Sequence, residues 1–123
     1  MNKPKTMKIN DVDYVRADSI QEMAKSTTEG YRYVITRARN SGCHAGYLKN
    51  RKGAECELIN SRRLWSWSGA STLSQLAVDG TNDVDNCKFP CAVPELILTD
   101  VCEFLFCTEQ ARKSIQGVKI WQQ

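Results

Sequence analysis

The sequence predicts an α+β domain: an antiparallel β-sheet, arranged as a meander or half-barrel, with two or three short helices packed on it. Between positions 31 and 67 the runs rich in β-branched and aromatic residues are joined by connections too short for parallel crossovers. Two later segments, 72–79 and 109–116, carry apolar residues at helical spacing, follow a hydroxyl residue and stop at glycine. The chain has 123 residues, 41% hydrophobic and 25% charged, which suffices for one core.

Residues 1–30 read as an arm attached to a single core domain at 31–123. In the arm, residues 8–15 form two short strands about the Asn10-Asp11 turn. Asp18 caps a helix over 19–27 that aligns Ile20, Met23 and Ala24. The clearest strand is 31–39, with Tyr31, Tyr33, Ile35, Arg37 and Arg39 on one side. A turn at Asn40-Ser41-Gly42 leads to a strand over 45–50, which a hairpin at 50–53 joins to 54–59. A fourth run, 63–67, extends the meander with Arg63, Trp65 and Trp67 opposite Arg62 and Leu64.

Ser71 is placed to cap a helix over 72–79, which buries Leu73, Leu76 and Ala77 and stops at Gly80. A polar loop and a turn bracketed by Pro90 and Pro94 follow. Residues 95–107 alternate as one long strand or two bent ones. Leu96, Leu98, Cys102, Phe104 and Phe106 share a face there, and Asp100 is the expected bulge. Thr108 caps a final helix through Gln116, and 118–121 is a candidate terminal strand.

Charge is unevenly placed although the net value is only +3. Eight cations face two carboxylates over 31–63, and seven carboxylates face one lysine over 79–109. That asymmetry points to an anionic ligand for the basic half, or to self-association through complementary patches. No apolar run reaches the roughly 18 residues of a membrane-spanning helix, and the start carries no secretory signal. Residence in the cytosol of the cell that makes it is therefore expected, with no membrane partner.

The six cysteines are Cys43, Cys56, Cys87, Cys91, Cys102 and Cys107. Their spacing is loose, with one histidine and no C-x2-C pair, so free thiols are expected, with no metal and no cofactor. The nucleophile elbow, phosphate loop and His-Glu-x-x-His motifs are all missing. Adjacent Cys43 and His44 would point to opposite faces of a strand. No catalytic residue is assigned.

The densest feature runs from Asn60 to Ser71 and holds Arg62, Arg63, Trp65 and Trp67. Guanidiniums offer bidentate forks to phosphate, and an indole face stacks on a base. A helix opening just behind offers backbone N–H groups to an anion. The candidate ligand-binding residues are Arg37, Arg39, Arg62 and Arg63 for phosphate, Trp65 or Trp67 for a base, and Ser71 and Ser74 at the helix start.

The same segment carries a resemblance. Arg62-Arg63-Leu64-Trp65-x-Trp67-x-Gly69-Ala70, then Leu73-Ser74-Gln75-Leu76-Ala77, Cys87-Lys88-Phe89-Pro90 and Thr108-Glu109-x-Ala111-x-x-Ser114-Ile115 occur in order. Together they resemble a family of small phage and prophage proteins grouped as a domain of unknown function, over about 31–121. In size, mixed composition and Arg/Trp-rich segment the chain is also similar to the signal-sequestering anti-Thoeris class. That likeness implies a non-catalytic, homo-oligomeric protein that holds a nucleotide-derived immune signal, of cyclic ADP-ribose or cyclic oligonucleotide type. The alternative expectation is a nucleic-acid-binding accessory protein, or a protein–protein inhibitor of a host defence factor.

Overall fold

The computed structural model describes residues 30–122, so the expected N-terminal hairpin and helix lie outside the described residues. The fold is α+β, with five antiparallel strands and two helices. The strands are β1 (Arg32–Ala38), β2 (Gly42–Lys52), β3 (Glu55–Arg63), β4 (Val93–Leu98) and β5 (Val101–Phe106). Helix α1 (Leu73–Asp79) lies between β3 and β4, and α2 (Glu109–Gln116) follows β5.

Strand order is β4-β3-β2-β1-β5, which puts β4 and β5 on opposite edges. Only Thr99 and Asp100 separate them in the chain. Edges of a flat five-stranded sheet lie about 19 Å apart, whereas that link reaches only about 10 Å. The sheet must therefore roll. The Val101 amide donates to the Ala54 carbonyl at 3.0 Å, although the β2–β3 hairpin and β5 are two to three strand spacings apart in the sheet order. The half-barrel form of the expected meander is the one realised.

Rolling gives β1 two apolar faces. Tyr33 and Ile35 join Ala45, Tyr47, Leu64, Leu76, Phe89, Ala111 and Ile115 in a core beneath the helices. Val34 and Ala38 join Cys56, Leu58, Leu98 and Val101 inside the roll, with Leu48, Leu96, Phe104 and Phe106 packed against them. Arg32 and Arg51 cover the Phe106 and Phe104 rings from the rim, at 4.2 and 4.7 Å.

Two bulges re-aim side chains. Ala45 pairs with Arg62 and Tyr47 with Ile59, so Gly46 alone faces Asn60 and Ser61. Asn60 is left-handed there (φ 51°), and a Cβ on Gly46 would meet the Ser61 Cα at 2.9 Å. The extra residue switches the parity of β3, so Cys56 and Leu58 face the interior of the roll while Arg62 and Leu64 face the helices. The second bulge lies opposite Arg37 and Ala38, which pair with Glu103 and Val101. Cys102 is its extra residue and is exposed, which corrects its expected place beside Phe104. Asp100 instead forms the link, accepting the Asn40 and Arg39 amides on its carboxylate and carbonyl.

The expected fourth run is not a separate strand. β3 continues through Asn60 and Ser61 to Arg63, and only the Ser66–Lys88 bridge follows. The terminal segment likewise makes a single parallel bridge, Phe89–Ile120. Helix α2 has the expected limits, with the Thr108 hydroxyl accepting from the Ala111 amide. Helix α1 is capped by Thr72 instead of Ser71, and ends at Gly80 (φ 75°), whose Cβ position would collide with Ser114. No helix among the described residues is long and apolar enough to cross a membrane.

Candidate functional site

The bulge at Asn60 decides the fate of the two arginines. Arg62 turns inward and is 5% exposed. Its Nη1 donates to the Ile115 and Val118 carbonyls at 2.9 and 2.8 Å, its Nη2 to Phe89 at 2.7 Å and its Nε to Pro90 at 3.0 Å. The last carbonyls of α2, the negative end of its dipole, thus face a buried cation. Burial lowers the Arg62 pKa from its ordinary value. Three of the segments that carried the sequence resemblance meet at this guanidinium, which works as a brace. It is withdrawn from any phosphate at the surface, contrary to its expected role.

Arg63 turns outward and donates to the Ser41 carbonyl from Nη1 at 2.6 Å. Trp65, next on the same side, is 63% exposed. Its ring lies nearly parallel to that of Trp121, 8° between planes and 6.4 Å between centroids. Lys88 places its ammonium 5.7 Å from the Trp121 ring. A hollow of about 310 Å3 on one side of Trp65 is lined by Ser41, Cys43, Arg63 and Leu64. A second hollow of about 350 Å3, on the Trp121 side, is lined by Val84, Asp85, Lys119 and Ile120. The result is a platform of two indoles between two shallow basins, with three cations at hand.

The other expected residues divide. Arg39 sits exposed in the β1–β2 turn beside the first basin. Arg37 is also exposed, but its Nε donates to Glu103 at 2.9 Å. That pair shows the basic and acidic halves of the sequence meeting within one molecule. Trp67 is half-buried and packs against the helix-side core. Ser71 and Ser74 are exposed, and the start of α1 is capped from within the chain. The Thr72 hydroxyl accepts from the Gln75 amide, and the Gln75 side chain accepts from the Ser71 amide. Trp121, Lys88 and Lys119 were missed because their segments join the platform only through the single bridges Ser66–Lys88 and Phe89–Ile120.

Behind Arg63, on the neighbouring strand, His44 is 2% exposed and neither ring nitrogen has a partner. Burial, and then the Arg63 charge, lower its pKa to about 4, so it is neutral near pH 7. All six cysteines are free, and burial pushes the Cys107 thiol up to about 12. Among the described residues no group of His, Cys, Asp and Glu could hold a metal ion.

Across residues 31–115 the sequence matches the model of DUF6948, a domain of unknown function. The chain belongs to this family. No curated protein and no solved structure is found to match it. The matched span of this DUF6948 chain includes Arg62, Arg63, Trp65 and Lys88, and stops short of Trp121.

Proposed function

We propose that the protein is a non-catalytic binder of a nucleotide-derived ligand. The Trp65–Trp121 platform carries the reading, because Trp65 stacks on the half-buried Trp121 and keeps much of its own indole open to a partner. A base stacks on the platform, while Arg63 and Lys88, with Arg39 at the edge of the first basin, take the phosphates. The resemblance to phage proteins and to signal-sequestering proteins supports a finer version. In it the ligand is a cyclic ADP-ribose-type or cyclic oligonucleotide alarm signal, held in the host cytoplasm as counter-defence. The openness of the platform favours a homo-oligomer in which a second copy closes the basins.

Tryptophan fluorescence titration with a cyclic ADP-ribose isomer and with a cyclic dinucleotide tests this reading. The expected result is quenching that Trp65→Ala abolishes, with intact ligand recovered after heating. Altered ligand after heating would make the protein an enzyme, and absent quenching by both would end the reading.

The same openness supports a second reading, in which successive bases of a single strand lie along the platform. Affinity for an oligonucleotide would then fall steeply with salt, because several counterions are released together. An enclosed small ligand shows a shallow dependence.

A further inference from the structure

On the other side of the terminal segment from the platform lies a separate cavity of about 260 Å3. Its polar wall is Tyr33, Asn60, Arg62 and Gln116, and its apolar wall is Ala92, Val118 and Ile120. No carboxylate lines it among the described residues. The Tyr33 ring is fully buried, set edge-on against Tyr47 with 5.0 Å between centroids, yet its hydroxyl has no hydrogen-bond partner. An unpartnered buried hydroxyl costs about 1–3 kcal/mol, so an acceptor brought to it from the cavity would be stabilising. Arg62 engages four of its five N–H groups with carbonyl oxygens, which leaves its positive charge without a counter-anion. Gln116 is fixed by the Tyr47 hydroxyl, which accepts from its Nε2, and by Arg112, which donates to its Oε1. Asn60 is held at the mouth by the left-handed bulge and presents a side-chain amide.

The geometry points to a second binding site in this cavity, for a small organic carboxylate whose oxygens accept from Tyr33, Asn60 and Arg62 while its apolar body rests on Ala92, Val118 and Ile120. The charge of Arg62 requires an anion, the donor-rich wall requires acceptor oxygens, and the volume limits the ligand to a few heavy atoms beyond the carboxylate. The site shares no stacking residue with the Trp65–Trp121 platform, so the two stand or fall separately.

The test uses butyrate as probe and butyramide, its uncharged isostere, as control, with NMR titration and thermal unfolding of the whole protein. Butyrate is expected to bind in the millimolar range, to raise Tm and to shift the Tyr33 and Asn60 signals, while butyramide does none of these. Tyr33→Phe, which keeps the ring and removes only the unpartnered hydroxyl, should fold with undiminished stability and weaken butyrate by about tenfold or more. Ala92→Phe, at an exposed rim position, should block the cavity and supplies the test if Tyr33→Phe fails to fold. Trp65→Ala should leave butyrate binding unchanged. Absence of butyrate binding, equal binding of butyramide, or indifference to both cavity variants would overturn the assignment.

Discussion

Arg62 and Arg63 are neighbours on one strand and share a chemistry, yet they do opposite work. Arg62 braces four carbonyls between α2 and the Phe89-Pro90 segment, buried but for the edge it shows to one cavity. Arg63 stands in solvent beside Trp65, on a surface with little role in stability. The difference comes from one inserted residue, Asn60, which shifts the parity of β3 just before the pair. Adjacent identical residues can thus be a framework part and a recognition part, and backbone register assigns them.

The contrast can be broken most sharply at Arg62. Arg62→Ala orphans four carbonyls and is expected to lower stability by about 3–5 kcal/mol, read as a shift of the denaturant midpoint. Arg62→Lys should recover little, since an ammonium cannot match the planar fork. Arg63→Ala should change stability by less than about 0.5 kcal/mol, and weaken nucleotide binding instead. A result in which both variants destabilise equally would erase the distinction.

His44 gives the next effect in size, and links the two sides through Arg63. Its folded pKa, about 4, lies below the ordinary imidazole value of 6.5. Its contribution to stability is therefore full above pH 6.5 and is lost as pH falls toward 4, to a total of about 3 kcal/mol. Urea unfolding between pH 7 and pH 4 should show this slope, and His44→Leu should flatten it. Arg63→Gln should raise the His44 pKa slightly, since Arg63 is the lesser of the two causes.

Among the tryptophans, Trp65→Ala is expected to weaken base stacking by about 1–3 kcal/mol and to leave unfolding unchanged. Trp67→Ala should do the reverse, costing roughly 1–2 kcal/mol of stability without loss of ligand. Isothermal titration beside denaturant melts separates them. The smallest effect belongs to Arg37→Ala, whose exposed pair with Glu103 contributes at most about 1 kcal/mol.

The sequence was most informative where a single period ran unbroken. Thr108 as cap, Gln116 as end, the alternation of Leu96 and Leu98, and the placing of Arg62 and Leu64 on the side opposite Arg63 and Trp65 were all legible, because each depends on local spacing. The bulges were not. Asn60-Ser61 was read as the end of a strand because polar residues at a break look like a turn, and Cys102 was placed inward because strict alternation puts it there. Arg62 was read as a phosphate ligand since no local signal distinguishes a surface guanidinium from one folded over distant carbonyls, 27 to 56 residues away. Trp121 escaped for the same reason: its partner Trp65 stands far off in the chain, and nothing around either residue marks the pairing. Ser71 lost its capping role to Thr72 by one position, the ordinary uncertainty at a helix start.

The two-residue link between β4 and β5 has a consequence for how the chain is made. The first strand of the sheet waits for the last: β1 pairs with β5, and Arg37 meets Glu103 across 66 positions. Until Phe106 has left the ribosome, the edge of β1 that β5 will cover remains open, with Val34 and Ile35 beside it. A prematurely terminated product would present that sticky border to its neighbours. Translation must therefore pass β5 before β1 is safe.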